Sequence, residues 1–258
     1  LGILLMSFSK VWSFSVLPEG FTLAHYQTVF TQSSRMIGNT LLYCGLAATL
    51  DVILGTAIAY IILRTRLPGR HLLDWAASAA LAIPGVVLAI GYLRTFRGLE
   101  LPYFETAFTA TWVALMIAYA VRRLPYALRS CMAALQQMHV SLEEAAENLG
   151  AAKGRTVQRI VVPLMAGGIL AGFVTSFITA AVELSATIVL SSSADQAPMS
   201  YGIYLYMQSI AGRGPGAALG VIAVVIVGLG TYASYRLMQR RSADAAAPAH
   251  AGDQLALR

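Results

Sequence analysis

Apolar residues fill five long runs, at about residues 37–63, 72–93, 106–124, 164–190 and 217–235. Each is close to or beyond the roughly 20 apolar residues that carry a helix across a hydrocarbon core. A shorter run, "LGILLMSF" at the start, cannot span and reads as the outer end of a first helix whose beginning is missing, through truncation or because a longer membrane protein precedes it. No basic n-region or small-residue cleavage site marks it as a signal peptide. With that stub, the pattern predicts a six-helix, all-α membrane protein.

Polar punctuation separates the runs. "LPEGFTLAHYQTVF" predicts an external loop carrying a short helix that Thr22 could cap. "RTRLPGR" closes the first full span with a Pro68-Gly69 turn, and Pro84-Gly85 should bend the second. "RRLP" at Arg122 to Pro125 marks the inner end of the third, and the amphipathic "YALRSCMAALQQM" follows. Residues 241–258, alanine-rich and polar, predict a disordered cytoplasmic tail.

Charge orients the spans. If they alternate, Arg64, Arg66, Arg70, Arg122, Arg123, Arg129, Lys153, Arg155, Arg159, Arg236, Arg240, Arg241 and Arg258 fall on one side, thirteen of eighteen Lys and Arg. The positive-inside rule makes that side cytoplasmic, C-terminus included. The same rule accounts for the net charge of +6 without nucleic acid. Cys44 and Cys131 stand in separate segments with no ligand spacing and read as packing residues; no metal site is expected.

One stretch breaks the apolar character: "SLEEAAENLGAAKGRTVQRIVVP", residues 141–163. Ser141 and Glu144 have capping-box spacing, in which each side chain would accept the other's backbone N–H. Leu142, Ala145, Ala146 and Leu149 follow at helical spacing on one face, with Glu143, Glu147 and Asn148 directed elsewhere. Gly150 stops the helix as a C′ glycine. A second helix puts Val157, Ile160 and Val161 on one face, Lys153, Arg155 and Arg159 in water, and Pro163 at the entry to the next span. A membrane-lying helix wants a bulky apolar face and a basic polar one, which the alanines and glutamates do not supply. Packing on its own protein and insertion into a partner's cleft both fit the periodicity, and small residues suit close approach in a cleft.

Glu144-Ala145-Ala146, Gly150, Ile160 and Val162-Pro163 resemble the EAA-x3-G-x9-I-x-LP signature of permease subunits of binding-protein-dependent ATP-binding-cassette importers, Val162 replacing leucine. The resemblance extends over essentially the whole chain, including "LAIPGVVLAIG", and implies a type I permease bundle whose first helix is truncated, or the second half of a longer permease. It implies that residues 141–162 form a coupling hairpin, with Ser141, Leu142, Glu144, Ala145, Ala146, Leu149, Gly150, Ile160 and Pro163 serving a cytoplasmic ATPase dimer. It also implies a second permease half, identical, different or fused, and a periplasmic solute-binding protein. "GAAKGRT" has the wrong spacing for a phosphate-binding loop, so ATP is expected on the partner and not on this chain. No catalytic motif is present and no enzymatic role or cofactor is expected.

Two acids lie inside predicted spans, where exposure to lipid is costly. Glu183 has Thr179, Ser185 and Thr187 near it in sequence, which fits a translocation path or, equally, a polar clasp between helices. Asp51, with only Thr49 nearby, reads as a structural helix contact. Gly168-x-x-x-Gly172 and Gly216-x-x-x-Gly220 permit close helix packing, either within the chain or at a seam between permease halves. "IAYAVRRLPYALRS" and "LQQMHVSLEEAAENLGA" look most like ferric-iron permeases; polyamine, phosphonate and thiamine systems share the plan. An ion-gradient-driven transporter using Asp51 and Glu183 is the rival class, but it leaves the hairpin unexplained and predicts an inverted repeat that is not visible.

Overall fold

The computed structural model describes residues 1–10, 20–100, 106–191 and 193–246. Twelve α-helices occur in this order among them: α1 Gly2–Phe8, α2 Ala24–Gln32, α3 Ser34–Arg64, α4 Arg70–Ala82, α5 Gly85–Thr95, α6 Trp112–Gln136, α7 Ser141–Asn148, α8 Lys153–Leu164, α9 Ala166–Ala181, α10 Ser185–Leu190, α11 Met199–Met207 and α12 Arg213–Ala246. No sheet forms among the described residues, only isolated bridges at Ser9 with Phe21 and Glu100 with Ala107. The fold is an all-α bundle.

Two single helices, α3 and the Arg213–Arg236 part of α12, are long and apolar enough to cross a membrane, and two bent pairs qualify jointly. The first pair, α4 and α5, turns through 108°. Pro84 causes the break: it sits in an extended conformation with no N–H to continue α4, and its carbonyl accepts the first bond of α5 from Leu88. Before α2 the N-cap position falls on Leu23, which makes no side-chain cap, so Thr22 is not the cap expected there; its Oγ1 accepts the Ala24 N–H at 3.1 Å from one position earlier. The start of the expected loop, residues 17–19, lies outside the described residues.

Three boundaries differ from the expected ones. Helix α6 does not stop at Arg122–Pro125 but continues to Gln136. Pro125 withholds one N–H, yet Leu128, Cys131 and Leu135 keep the helical spacing beyond it and are fully buried, which holds the helix together. Residues 164–190 are not one span: Leu164 ends α8, a 69° bend precedes α9, and the chain breaks again at Val182–Leu184 before α10. Finally, α12 runs through Ala246, so residues 241–246 of the expected disordered tail are helical, while residues 247–258 lie outside the described residues. Helix α11 has no counterpart among the expected elements.

Helices α3, α6 and α9 form the centre, and small residues set their spacing. A Cβ on Gly55 of α3 would lie 3.0 Å from the Leu128 backbone nitrogen of α6, and one on Gly172 of α9 would lie 3.1 Å from Ala127 Cα. The glycines of the Gly168/Gly172 pair are therefore used inside the chain, against α6. Tyr43, Leu115 and Tyr119 anchor one apolar layer of this centre; Leu128, Leu135, Val161 and Met165 anchor the other. A satellite core of Val29, Met199, Ala218 and Leu219 joins α2, α11 and α12.

Candidate functional site

Two polar constellations stand out in the apolar bundle. The first is the hairpin of α7 and α8. Its stop is a Schellman motif: Gly150 has φ +85°, its N–H donates to Glu147 O at 2.9 Å, and the Ala151 N–H donates to Ala146 O at 3.0 Å. Its start differs from the expected capping box. The Glu144 N–H donates to the Val140 carbonyl at 3.2 Å, while the Ser141 hydroxyl lies 2.7 Å from His139 Nδ1. The imidazole two residues upstream is a nearer partner than the N–H three residues on, and it takes the serine.

The faces of α7 also divide differently from the expected pattern. Glu143, expected to face away, is 6% exposed, and Ala146 is 9% exposed; these two turn toward the protein. Leu149 is 89% exposed and Leu142 45%, and Ser141, Glu144, Ala145 and Gly150 are also exposed. Leu142, His139 and Met138 border an open cavity of about 630 Å³ between α6, α7 and α9. The outward surface thus consists of Ala145 and two leucines, not of a continuous Leu–Ala–Ala–Leu stripe. On α8, Val161 is fully buried, Val157 and Ile160 are half-buried, and Lys153, Arg155 and Arg159 are exposed as expected. Pro163 is exposed inside α8, and the turn into the next helix comes two residues later, at Met165.

A burying contact explains Glu143. The Arg64 Nε donates to its Oε1 at 2.7 Å and the Tyr60 hydroxyl donates to its Oε2 at 3.1 Å. Arg64 Nη2 donates in addition to the carbonyls of Leu135, at 3.1 Å, and Met138, at 2.7 Å. One guanidinium thereby holds the end of α3, the end of α6 and the first turn of α7. The cation suits two helix C-termini and the carboxylate suits a helix N-terminus.

The second constellation lies where α9 breaks. Glu183 is 5% exposed and takes a salt bridge from Arg123 of α6, with Arg122 Nε 3.7 Å from the same carboxylate oxygen. Its other oxygen accepts the Ala186 N–H at 3.3 Å, at the start of α10. Its backbone carbonyl accepts from Thr187 at 2.6 Å and from Ser200 at 2.9 Å. Thr187 is buried, its hydroxyl 2.6 Å from that of Tyr119, whereas Ser185 is exposed and packs beside Gly85. Thr179 stands one turn back, donating to the Thr175 carbonyl. Next to this group the Ser176 hydroxyl donates to Asp51 Oδ2 at 2.8 Å and lies 3.2 Å from the Arg123 carbonyl. Asp51 is thus bridged from α3 to α9; Thr49, its expected neighbour, donates to Gly45 O and takes no part.

Arg122 and Arg123 bear on the charge count. Trp112 begins α6, and Arg122 lies about 15 Å along it, some 21 Å short of Gln136, so both arginines sit near the middle of the helix. Their side chains are largely buried against Glu183 inside the bundle; removing them from the count leaves its sign unchanged. Sequence reasoning missed Arg64, Tyr60, Glu143, Arg122, Arg123 and Ser176. The signal that could have found the arginines was the need of two intramembrane acids for partners. Among the described residues no three His, Cys, Asp or Glu groups come together.

Comparison with known proteins gives a consistent picture. Residues 51–244 match the family described as binding-protein-dependent transport system inner membrane component. The chain is 31% identical over 185 residues to the ferric transport system permease protein FbpB of Actinobacillus pleuropneumoniae, covering 70% of this chain and 26% of that one. It is 33% identical over 174 residues to a ferric permease protein described as FbpB 1 of Haemophilus influenzae, covering 66% of this chain and 27% of that one. The chain thus spans about a quarter of the length of these ferric relatives. It is also 31% identical to the molybdenum transport system permease protein ModB of Escherichia coli K12, over 70% of this chain and 82% of that one. Among solved structures, a bacterial ABC transporter that imports alginate aligns with TM-score 0.70 at 21% identity, covering 91% of this chain and 87% of its counterpart. The MetNI methionine transporter aligns at 0.63 and 16% identity, over 83% and 98%.

Proposed function

As the chain belongs to the family of binding-protein-dependent transport system inner membrane components, a multi-pass permease family of the inner membrane, we propose that it lines a solute path and takes its driving motion from a separate ATPase through the α7–α8 hairpin. The observation that carries this reading is the exposed Leu149 and Ala145 on a helix that is stopped by Gly150 and fixed to the bundle by Glu143. An apolar surface on a short, anchored helix fits a partner's groove, and the permease relatives support an ATPase dimer as that partner. A second permease half and a periplasmic binding protein complete the assembly, with the C-terminus in the cytoplasm. ATP-driven closure of the ATPases would then displace the hairpin, and rocking of the bundle would alternate access.

Glu183, with Ser185 exposed beside it at the α9–α10 break, is the part of the bundle we assign to the path; Thr187 and Tyr119 back it from inside. The solute is ferric iron, by the two ferric relatives. A tetrahedral oxyanion is the second reading, favoured by the match over 82% of the molybdenum permease. The test is uptake into proteoliposomes holding the permease, its ATPase and its binding protein. ATP-dependent entry of radiolabelled ferric iron supports the first reading, entry of molybdate or sulfate the second, and entry of either without ATP rejects the ATPase-driven class.

A further inference from the structure

We propose that Arg64 and Glu143 are a positioning pair, the rigid joint through which displacement of the hairpin enters the membrane helices. The proposal rests on the transport reading above and names the residues that make it work. Apolar packing is non-directional, so a hairpin held only by Ala146 and Val161 could slide on the bundle when pushed. A guanidinium has a fixed planar fork, and here Nε donates to Glu143 while Nη2 donates to Leu135 O and Met138 O. Both carboxylate oxygens of Glu143 are taken as well, the second by Tyr60. The pair is 11% and 8% exposed, so solvent and salt screen it weakly.

The joint leads somewhere. Helices α3 and α6 meet backbone to backbone at Gly55, so a push received by Arg64 moves them as one body. From Leu135, α6 runs about 18 Å to Arg123, which grips Glu183 at the break between α9 and α10. The hairpin and the Glu183 cluster are therefore connected by one helix, held by Arg64 at its C-terminal end and carrying Arg123 near its middle.

The experiment uses the complete assembly in proteoliposomes and compares wild type with Glu143→Gln and Tyr60→Phe. Three quantities are read: ATPase co-purified, ATP hydrolysed, and solute taken up per ATP. Glu143→Gln keeps the shape of the side chain but loses the charge-assisted bond; it should retain the ATPase and its hydrolysis while uptake per ATP falls about tenfold. Tyr60→Phe, too mild to unfold the protein, should lose about two- to threefold. Unchanged uptake per ATP in both variants overturns the proposal. Loss of bound ATPase in proportion to lost uptake also overturns it, because the pair would then serve docking. A wild-type assembly with no ATP-dependent uptake overturns the transport reading itself, and the joint with it.

Discussion

Arg123 and Glu183 are joined across the break between α9 and α10, and the second arginine, Arg122, stands 3.7 Å from the same carboxylate oxygen. The Glu183 carboxylate thereby offsets the Arg123 cation inside the bundle, with a second cation beside it. It also explains why α9 ends where it does, since the Glu183 carboxylate meets the start of α10 through the Ala186 N–H.

Removing the carboxylate should therefore be more damaging than neutralising it. Glu183→Ala leaves two guanidiniums facing each other without an acid and is expected to cost about 3–5 kcal/mol, the range for breaking a buried pair from one side. Glu183→Gln keeps an acceptor for Arg123 and should remain folded and bound to its ATPase while transport falls. Thermal unfolding in detergent checks the first expectation and solute uptake the second; full uptake by Glu183→Gln removes Glu183 from the path.

Ser176 should matter more than its size suggests. It is the donor that meets the buried Asp51, and Ser176→Ala would leave that oxygen without a hydrogen bond, at about 1–3 kcal/mol. Asp51→Asn, which removes the charge together with the need to compensate it, should be closer to wild type. Melting temperatures of the two variants, compared in one detergent, decide it: a larger loss for Asp51→Asn would mean that the ionised carboxylate itself is required.

The sequence made the bundle and its hairpin visible because apolar length and the glycine stop are local properties. Gly150 at φ +85° was readable from one residue type at one spacing. What stayed hidden depended on partners far away in the chain. Glu143 looked like one more solvated glutamate, because Arg64 and Tyr60, its reason for burial, lie some eighty residues earlier. Arg122 and Arg123 looked like the end of a helix because their counter-charge comes sixty residues later. Pro125 reinforced that reading, since a proline that continues a helix cannot be told locally from one that ends it.

The division of α7 into inward and outward faces predicts that two substitutions with the same chemistry act differently. Leu149→Asp places a charge on a side chain that is 89% exposed and should leave the permease folded but unable to retain the ATPase. Ala146→Asp puts the charge at a position 9% exposed against the protein and should destabilise the hairpin itself. Gly150→Arg combines an obstruction with a left-handed backbone, which costs roughly 1–2 kcal/mol for a residue with a side chain. Co-purification of ATPase together with limited proteolysis of the hairpin separates these cases. Equal retention of ATPase by Leu149→Asp and wild type would show that the outward face is not the docking face.

The glycines of α9 offer the last test, since they distinguish packing within one chain from a seam between two. A Cβ at Gly168 would come within 2.9 Å of the Ser130 carbonyl, and one at Gly172 within 3.1 Å of Ala127 Cα. Both obstructions are backbone atoms of α6, which cannot rotate away as a side-chain tip could, so α9 would have to move bodily. Gly172→Leu should therefore lower the stability of the single chain by about 1–3 kcal/mol, the usual range for overpacking. The outer apolar surface of the bundle would not change. Melting temperature and oligomeric state in detergent read the two effects separately. A drop in melting temperature with an unchanged oligomer is expected; a stable chain that loses its partner half would place these glycines at the seam instead.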